Sequence, residues 1–533
     1  KRGYPKIGSL QLYLPCGIYS IKMSNTTENN KRIAKNTLLL YFRMLFTMAV
    51  SLYTSRVVLN TLGVEDFGIY NVVGGVVAMF GFLNSAMSSS TQRYITFELG
   101  KNNFDQLKKV FSTSVYIHAF ISIVILILAE TIGLWFLYNK MTIPMERMDA
   151  ALWVYQGAIA STIVLIMSVP YNATIIAHEK MSAFAYISVL EVILKLLIVY
   201  LLLIGDFDKL KLYAALMFGI QVIIRLIYGR YCKKNFPETK LQQTKDWKQF
   251  KEMLEFAGWN LWGNCAAIAF TQGVNILLNL FFGPAVNAAR GVAVQVQNAV
   301  NQFSLNFQTA LNPQITKSYA TGDYAYMHKL IFRSSKFTFF LLLFLSLPIQ
   351  LETETILTIW LKNVPEHTVN FLRLILCVTL IDATANPLMI SAAATGKVKL
   401  YQSVIGGILL AILPISYVAL KLGGNPESVF IVHLSVCAIA FITRLFIIRP
   451  MIQLNLSNYF KEVILRCFAV TFVSLFLPTG AIYLTDDSLV GFVIVCLACM
   501  FSVSIAAYFL GFEKDEKQFI NKKILSVINK IKR

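Results

Sequence analysis

GWNLWGNCAAIAFTQGVNILLNLFFGPAVNAARGVAVQVQNAVNQFSLNFQTALN, from Gly258 to Asn312, is apolar enough for a bilayer yet carries an amide about once per helical turn. Its first half holds Asn260, Asn264, Gln272, Asn275 and Asn279. Its second half holds Asn287, Gln295, Asn298, Asn301, Gln302, Asn306 and Asn312, with Arg290 among them. Spacings of three and four gather most of each set on one helix face. Acyl chains offer an amide no hydrogen bond, so these faces must meet each other, water or a polar ligand. Two such helices enclose either a hydrated lumen or a dry hydrogen-bonded seam. The lumen is the expectation carried forward.

The rest of the chain supplies the oily surroundings. Of 533 residues, 56% are hydrophobic and 14% charged, and the mean hydropathy is +0.61. Soluble proteins carry roughly 25% charged residues, so the composition predicts an all-α polytopic membrane protein. At roughly 20 apolar residues per crossing, about fourteen transmembrane helices are expected. Among them the second covers Phe67 to Ser88, the seventh Phe256 to Phe281 and the eighth Ala285 to Leu311.

The formal net charge of +20 is not spread evenly. Basic residues crowd alternate loops (Lys31 to Lys35, Lys101 to Lys109, Lys233 to Lys251), and acidic ones the others (Glu65 and Asp66, Glu146 to Asp149, Asp206 to Asp208). The positive-inside rule then puts both termini in the cytoplasm and accounts for the charge without nucleic acid. The expected order is a cytoplasmic segment (1–35), a six-span lobe (36–232), a basic cytoplasmic linker (233–255), a second six-span lobe (256–449), two further spans (450–510) and a basic tail (511–533). The tail reads as an amphipathic helix resting on the anionic inner surface. The first methionine is Met23, and residues 1–22 lack the apolar core of a signal peptide, so they read as an over-extended start.

Cofactor and enzyme signatures are missing from the sequence. The eight cysteines and five histidines are scattered without metal spacing. Cys496 and Cys499 lie within an apolar run and read as small core residues. There is no P-loop, G-x-S-x-G or H-E-x-x-H, so neither an enzyme nor a metal or other cofactor is expected.

A weak internal repeat divides the chain. Gly63 and Gly283, Thr96 and Thr316, and Lys109 and Lys329 all stand at one and the same spacing. Pro170 and Pro387, Ala177 and Ala394, and Lys180 and Lys397 share a second, slightly shorter one. Two parallel bundles related by an axis along the membrane normal are expected, rocking about a central site.

Charges inside spans default to function. Arg43, Arg56, Arg290 and Arg373 fall on inner helices of the two bundles and make a cationic lumen suited to phosphate or carboxylate. Asn260, Asn264, Gln272, Asn275, Asn287, Gln295, Asn298 and Asn301 are its expected polar lining. Glu191 and Lys195, four apart, are either an intrahelical ion pair or a coupling site. Asp382 either pairs with an arginine or titrates during transport. Arg225, Arg444 and Arg466 lie near basic ends, where snorkelling accounts for them.

Several stretches carry a family resemblance: Lys31-Arg32-Ile33-Ala34-Lys35-Asn36-Thr37, Ser55-Arg56-Val57-Val58-Leu59-Asn60-Thr61-Leu62-Gly63 and Asp66-Phe67-Gly68-Ile69-Tyr70. Thr91-Gln92-Arg93-Tyr94, Val169-Pro170-Tyr171-Asn172-Ala173 and Ala285-Val286-Asn287-Ala288-Ala289-Arg290-Gly291 fit it too. Over residues 31–510 the chain resembles the polysaccharide transporters of the MOP (MATE-like) superfamily. The resemblance implies two six-helix lobes plus two extra helices around a V-shaped cavity. It implies flipping of an undecaprenyl-pyrophosphate-linked oligosaccharide, an O-antigen, capsular or exopolysaccharide unit, across the bacterial inner membrane. Arg43, Arg56 and Arg290 fall where the pyrophosphate would be held. Membrane lipids, H+ or Na+, and the polymerase and glycosyltransferases of the same pathway are the implied partners. Rival readings are a peptidoglycan lipid-precursor flippase and a MATE-type cation-coupled efflux antiporter.

Overall fold

The computed structural model describes residues 16–78, 81–140, 143–202, 208–243, 246–361, 364–486, 488–518 and 521. Among them all regular structure is helical, as a bilayer requires of a chain whose backbone must satisfy its own hydrogen bonds. The first half contains α1 (Cys16–Ala78), α2 (Gly81–Gly100), α3 (Phe104–Leu128), α4 (Leu134–Lys140), α5 (Met148–Ala177), α6 (Met181–Leu201) and α7 (Lys209–Asn235). The second contains α8 (Trp247–Phe282), α9 (Pro284–Ala320), α10 (Tyr324–Leu351), α11 (Thr353–Leu361), α12 (Thr368–Thr395), α13 (Lys399–Leu410), α14 (Ile412–Lys421) and α15 (Glu427–Ile452). Then come α16 (Leu456–Tyr459), α17 (Leu465–Leu484) and α18 (Leu489–Ala506).

Twelve described segments are long and apolar enough to cross a membrane, rather than fourteen. The eighth expected span lies in α9, a continuous helix of 37 residues whose amides lower its hydropathy. The second expected span runs across residues 79–80, outside the described residues. α1 already begins at Cys16, and the later part of the expected linker, from Trp247, is the first turns of α8.

The internal repeat is written in the backbone. α1 breaks at Gly63 (φ 81°, ψ 168°), and its counterpart Gly283 (φ 81°, ψ −172°) separates α8 from α9. This region is essentially reserved for glycine. Asn102 (φ 54°) and Gly322 (φ 73°) repeat at the same interval. Their successors, Asn103 and Asp323, cap α3 and α10 by accepting the backbone N–H of Gln106 and Tyr326. Glu179 (φ 58°) and Gly396 (φ 78°) match at the shorter interval of Lys180 and Lys397.

Each half has its own core. One cluster joins Phe111, Ile117, Ile125, Tyr171 and Ile224 in the first half. Another joins Leu278, Ala293, Leu342, Phe371 and Phe430 in the second. The final helices belong to the second half: Cys467, Val470, Val495 and Val503 pack with Leu343, Leu347 and Ile448. The start of the tail is pinned to α10. Lys336 of α10 reaches Glu513 (3.1 Å) and Glu516 (3.3 Å), with Arg333 and Arg466 beside them. Residues 522–533 of the expected amphipathic tail lie outside the described residues.

At the end bearing the acidic loops, Arg147 ties three helices together. Its Nε donates to Asp66 (2.9 Å) and its Nη1 to Asp208 (2.9 Å). Partial burial works against the Asp208 charge, but Arg147 and the amides of Lys211 and Leu210 outweigh it and hold this carboxyl below its ordinary range. Charge-assisted bonds of this kind each contribute about 1.5–3 kcal/mol. Arg147→Ala is therefore expected to lower the detergent-solubilised melting temperature measurably, and Arg147→Lys to recover only part, since a single ammonium cannot fork across two carboxylates.

Candidate lumen between the two halves

α9 builds the gap. Ala289, Ala293 and Val300 bury one side of it in the second half. Gly291, Gln295, Asn298 and Gln302 are exposed on another. Steps of three and four carry that exposed face on to Asn306. There the Asn306 Oδ1 accepts a hydrogen bond from Arg43 Nη2 of α1 at 3.0 Å. Next to it Tyr41 donates to the Phe303 carbonyl at 3.1 Å. The face of α9 that meets the first half at Asn306 is thus left uncovered by protein over the preceding turns. The two halves touch at Arg43, and among the described residues no hydrogen bond joins them nearer the acidic end.

From Arg43 to the basic end they are closed. Arg93 Nη2 of α2 donates to the Ala394 carbonyl of α12 at 3.0 Å, and its guanidinium lies over the rings of Tyr94, Phe97 and Phe256. The rings of Phe97 and Tyr319 are 6.4 Å apart. A Cβ on Gly100 would come within 2.8 Å of the Ala320 Cβ, so the helix ends are in direct contact there. Glu179 completes the closure through Gln314 and Lys317. The hydrogen bonds described between the halves all lie at or below the level of Arg43.

Arg43 forms the floor of the gap. Besides its bond to Asn306, the guanidinium lies 4.6 Å over the Phe184 ring. Its Nε makes no hydrogen bond among the described residues, and none of their carboxylates pairs with it. A half-buried guanidinium with donor capacity left over, under a column of amides, is chemistry for an oxyanion.

The other expected site residues divide. Gln295 and Asn298 are exposed on the open face, and Asn301 and Asn287 are half-buried, the latter with its Oδ1 unpartnered among the described residues. Asn260 is corrected from lumen to seam: it is buried and accepts a hydrogen bond from Gln402 of α13 at 2.8 Å. Arg290 is also in a seam, only 7% exposed; it donates to Asn275 and, at 3.1 Å, to the Thr271 carbonyl, stitching α9 to α8. Gln272, itself exposed, accepts from Asn275 at 3.0 Å and extends this chain. Asn264 is half-buried on α8 and partnered. The polar pair of helices is therefore a hydrogen-bonded seam along part of α8 and an exposed amide face along α9.

Arg373 donates from Nε to the Gln350 carbonyl (3.1 Å) and Thr353 (3.2 Å), bracing the junction of α10 and α11. The Arg56 side chain lies outside the described residues. Lys195 and Glu191 form the intrahelical ion pair at 2.6 Å, with Gln221 also reaching Glu191. Asp382 is half-buried in the field of Arg444. Arg444 is itself buried, rather than snorkelling to the surface, with its guanidinium 5.9 Å from the Tyr401 ring. Among the described residues no group of His, Cys, Asp and Glu is arranged to hold a metal ion. Glu179, Arg93 and Lys336 escaped the sequence reading because each lies in or beside a basic loop, where a single charge attracts no notice.

A family model, MatE, matches residues 40–201. No curated protein matches the chain. Among solved structures, an outward-facing multidrug resistance MATE family transporter of the MOP superfamily is similar at a TM-score of 0.68 and 14% identity, covering 80% of this chain and 96% of that one. A MATE structure in a bent conformation has a TM-score of 0.69 at 12% identity, with coverage of 80% and 96%. A MOP superfamily transporter from Pyrococcus furiosus, described as having a binding pocket of reverse polarity, has a TM-score of 0.66 at 14% identity, with coverage of 81% and 96%. The chain shares the fold of these structures, and twelve of its described segments are long and apolar enough to cross a membrane.

Proposed function

We propose that this protein flips an undecaprenyl-pyrophosphate-linked oligosaccharide, an O-antigen, capsular or exopolysaccharide repeat unit, across the bacterial inner membrane by alternating access. The observation that carries the reading is the exposed amide face of α9 leading down to Arg43. A pyrophosphate head cannot cross hydrocarbon unaided. In the gap, Arg43 receives the pyrophosphate oxygens and the amides of Gln295, Asn298 and Gln302 bond sugar hydroxyls, while the polyprenyl tail stays in lipid. By the positive-inside rule the basic end is cytoplasmic, as are both termini, and a closed basic end is what an outward-open state requires. Asp382 and Glu191 are the candidate coupling groups for H+ or Na+.

The competing reading is a cation-coupled drug antiporter, favoured by the MATE proteins of similar fold. A cationic cargo needs an acid at the floor of the gap, and Arg43 puts the opposite sign there. A peptidoglycan-precursor flippase would use the same anion chemistry. Reconstitution with fluorescent polyprenyl-pyrophosphate glycans and, separately, with a cationic dye separates the readings. Dye efflux without glycan flipping sinks the proposal. Complementation of strains lacking either flippase distinguishes repeat unit from peptidoglycan precursor.

A further inference from the structure

Glu179, in the turn between α5 and α6, is a buried carboxylate at the basic end with partners from both halves. Its side chain is 1% exposed. It receives Arg32 Nε at 2.7 Å and its carbonyl receives Asn36 Nδ2 at 3.2 Å, both from α1 of its own half. It also receives Lys317 Nζ and Gln314 Nε2, each at 2.7 Å, from α9 of the other half. We propose that this carboxylate is a latch that holds the basic end shut through Lys317 and Gln314 and must release both for that end to open. The inference rests on the alternating-access reading but not on the identity of the cargo.

The backbone shows that a side chain is kept here against local preference. Glu179 has φ 58°, a left-handed conformation that a residue other than glycine adopts at a cost. The matching position of the other half is Gly396, at φ 78°. That turn is also gripped from across the gap. Arg93 donates to the Ala394 carbonyl, and its guanidinium occupies the space a Cβ on Gly396 would need, 2.8 Å away. Each half therefore grasps the same turn of its partner, one through a carboxylate and one through a carbonyl. A buried carboxylate is stable only while its partners stay with it. Separation takes away one cation and one amide and leaves the carboxylate only Arg32, so the charge of Glu179 bears directly on the balance between closed and open basic ends.

The test is a distance measurement independent of transport. Spin labels go at Lys101→Cys and Lys397→Cys, exposed at the basic end of the two halves, in a background free of native cysteines and reconstituted in nanodiscs. Glu179→Gln and Lys317→Met are each expected to raise the long-distance fraction about threefold or more over wild type. Arg32→Gln removes a partner from the same half and is expected to leave that fraction near wild type. A role in folding alone would move all three variants alike, and that result overturns the latch. A long-distance fraction present in wild type but unchanged in Glu179→Gln and Lys317→Met also overturns it, while sparing alternating access. One short distance in every protein overturns both.

Discussion

Arg43→Ala is expected to slow glycan flipping in proteoliposomes about 10- to 100-fold while leaving insertion and yield normal. Charge-assisted bonds contribute about 1.5–3 kcal/mol, and each 1.4 kcal/mol is a factor of about ten in rate. Arg43 meets the other half through a single amide and Phe184 through its face, so its removal leaves no buried carboxylate unpaired. Arg43→Lys keeps the charge but loses the planar fork, and an intermediate rate is expected. Arg290→Ala makes the contrast. Its guanidinium ties α8 to α9 from a buried position, so the expected loss is in thermal stability first and in transport second. A wild-type flipping rate in Arg43→Ala would remove the cationic floor from the mechanism.

The largest stability effect is expected at Lys336→Ala. Lys336 and Glu516 have side chains 1% and 2% exposed. Removing one partner of such a buried pair costs about 3–5 kcal/mol, of which Arg333, 3.1 Å from Glu516, offsets part. Differential scanning fluorimetry in detergent should show a drop of several degrees, with the C-terminal segment becoming protease-sensitive first. Lys336→Met combined with Glu516→Leu is expected to recover much of the loss, since two apolar groups need no partners. Glu513 adds a pH dependence. Burial pushes its carboxyl up, but Lys336, Arg466 and Arg333 outweigh that and hold it below the ordinary 4.5. Its contribution is complete above the ordinary value and is lost as pH falls through the lower native one. Wild-type stability should therefore fall on acidification, and Glu513→Gln should show a flatter profile.

The helices and the repeat were legible in the sequence because both rest on local chemistry: apolar length, and glycine where the chain needs a backbone that other residues resist. The amides of Gly258 to Asn312 lie on α8 and α9. They did not reveal which neighbour each would meet. Asn260 and Gln295 look alike in sequence, yet one is bonded to Gln402, far along the chain, and the other is open. Arg290 misled for the same reason. A guanidinium in a span signals a polar environment, and Asn275 with the Thr271 carbonyl supplies one as well as water does. Glu179 was illegible because its partners, Arg32, Gln314 and Lys317, come from distant places in the chain.

The matched bends at positive φ carry an evolutionary consequence. Gly63 with Gly283, Asn102 with Gly322 and Glu179 with Gly396 recur at a nearly constant interval, which is what a tandem duplication leaves after side chains have drifted. The ancestral gene would have encoded a single copy of this pattern of bends. Fusion then freed each copy to specialise, as Glu179 and Gly396 have done at one shared bend.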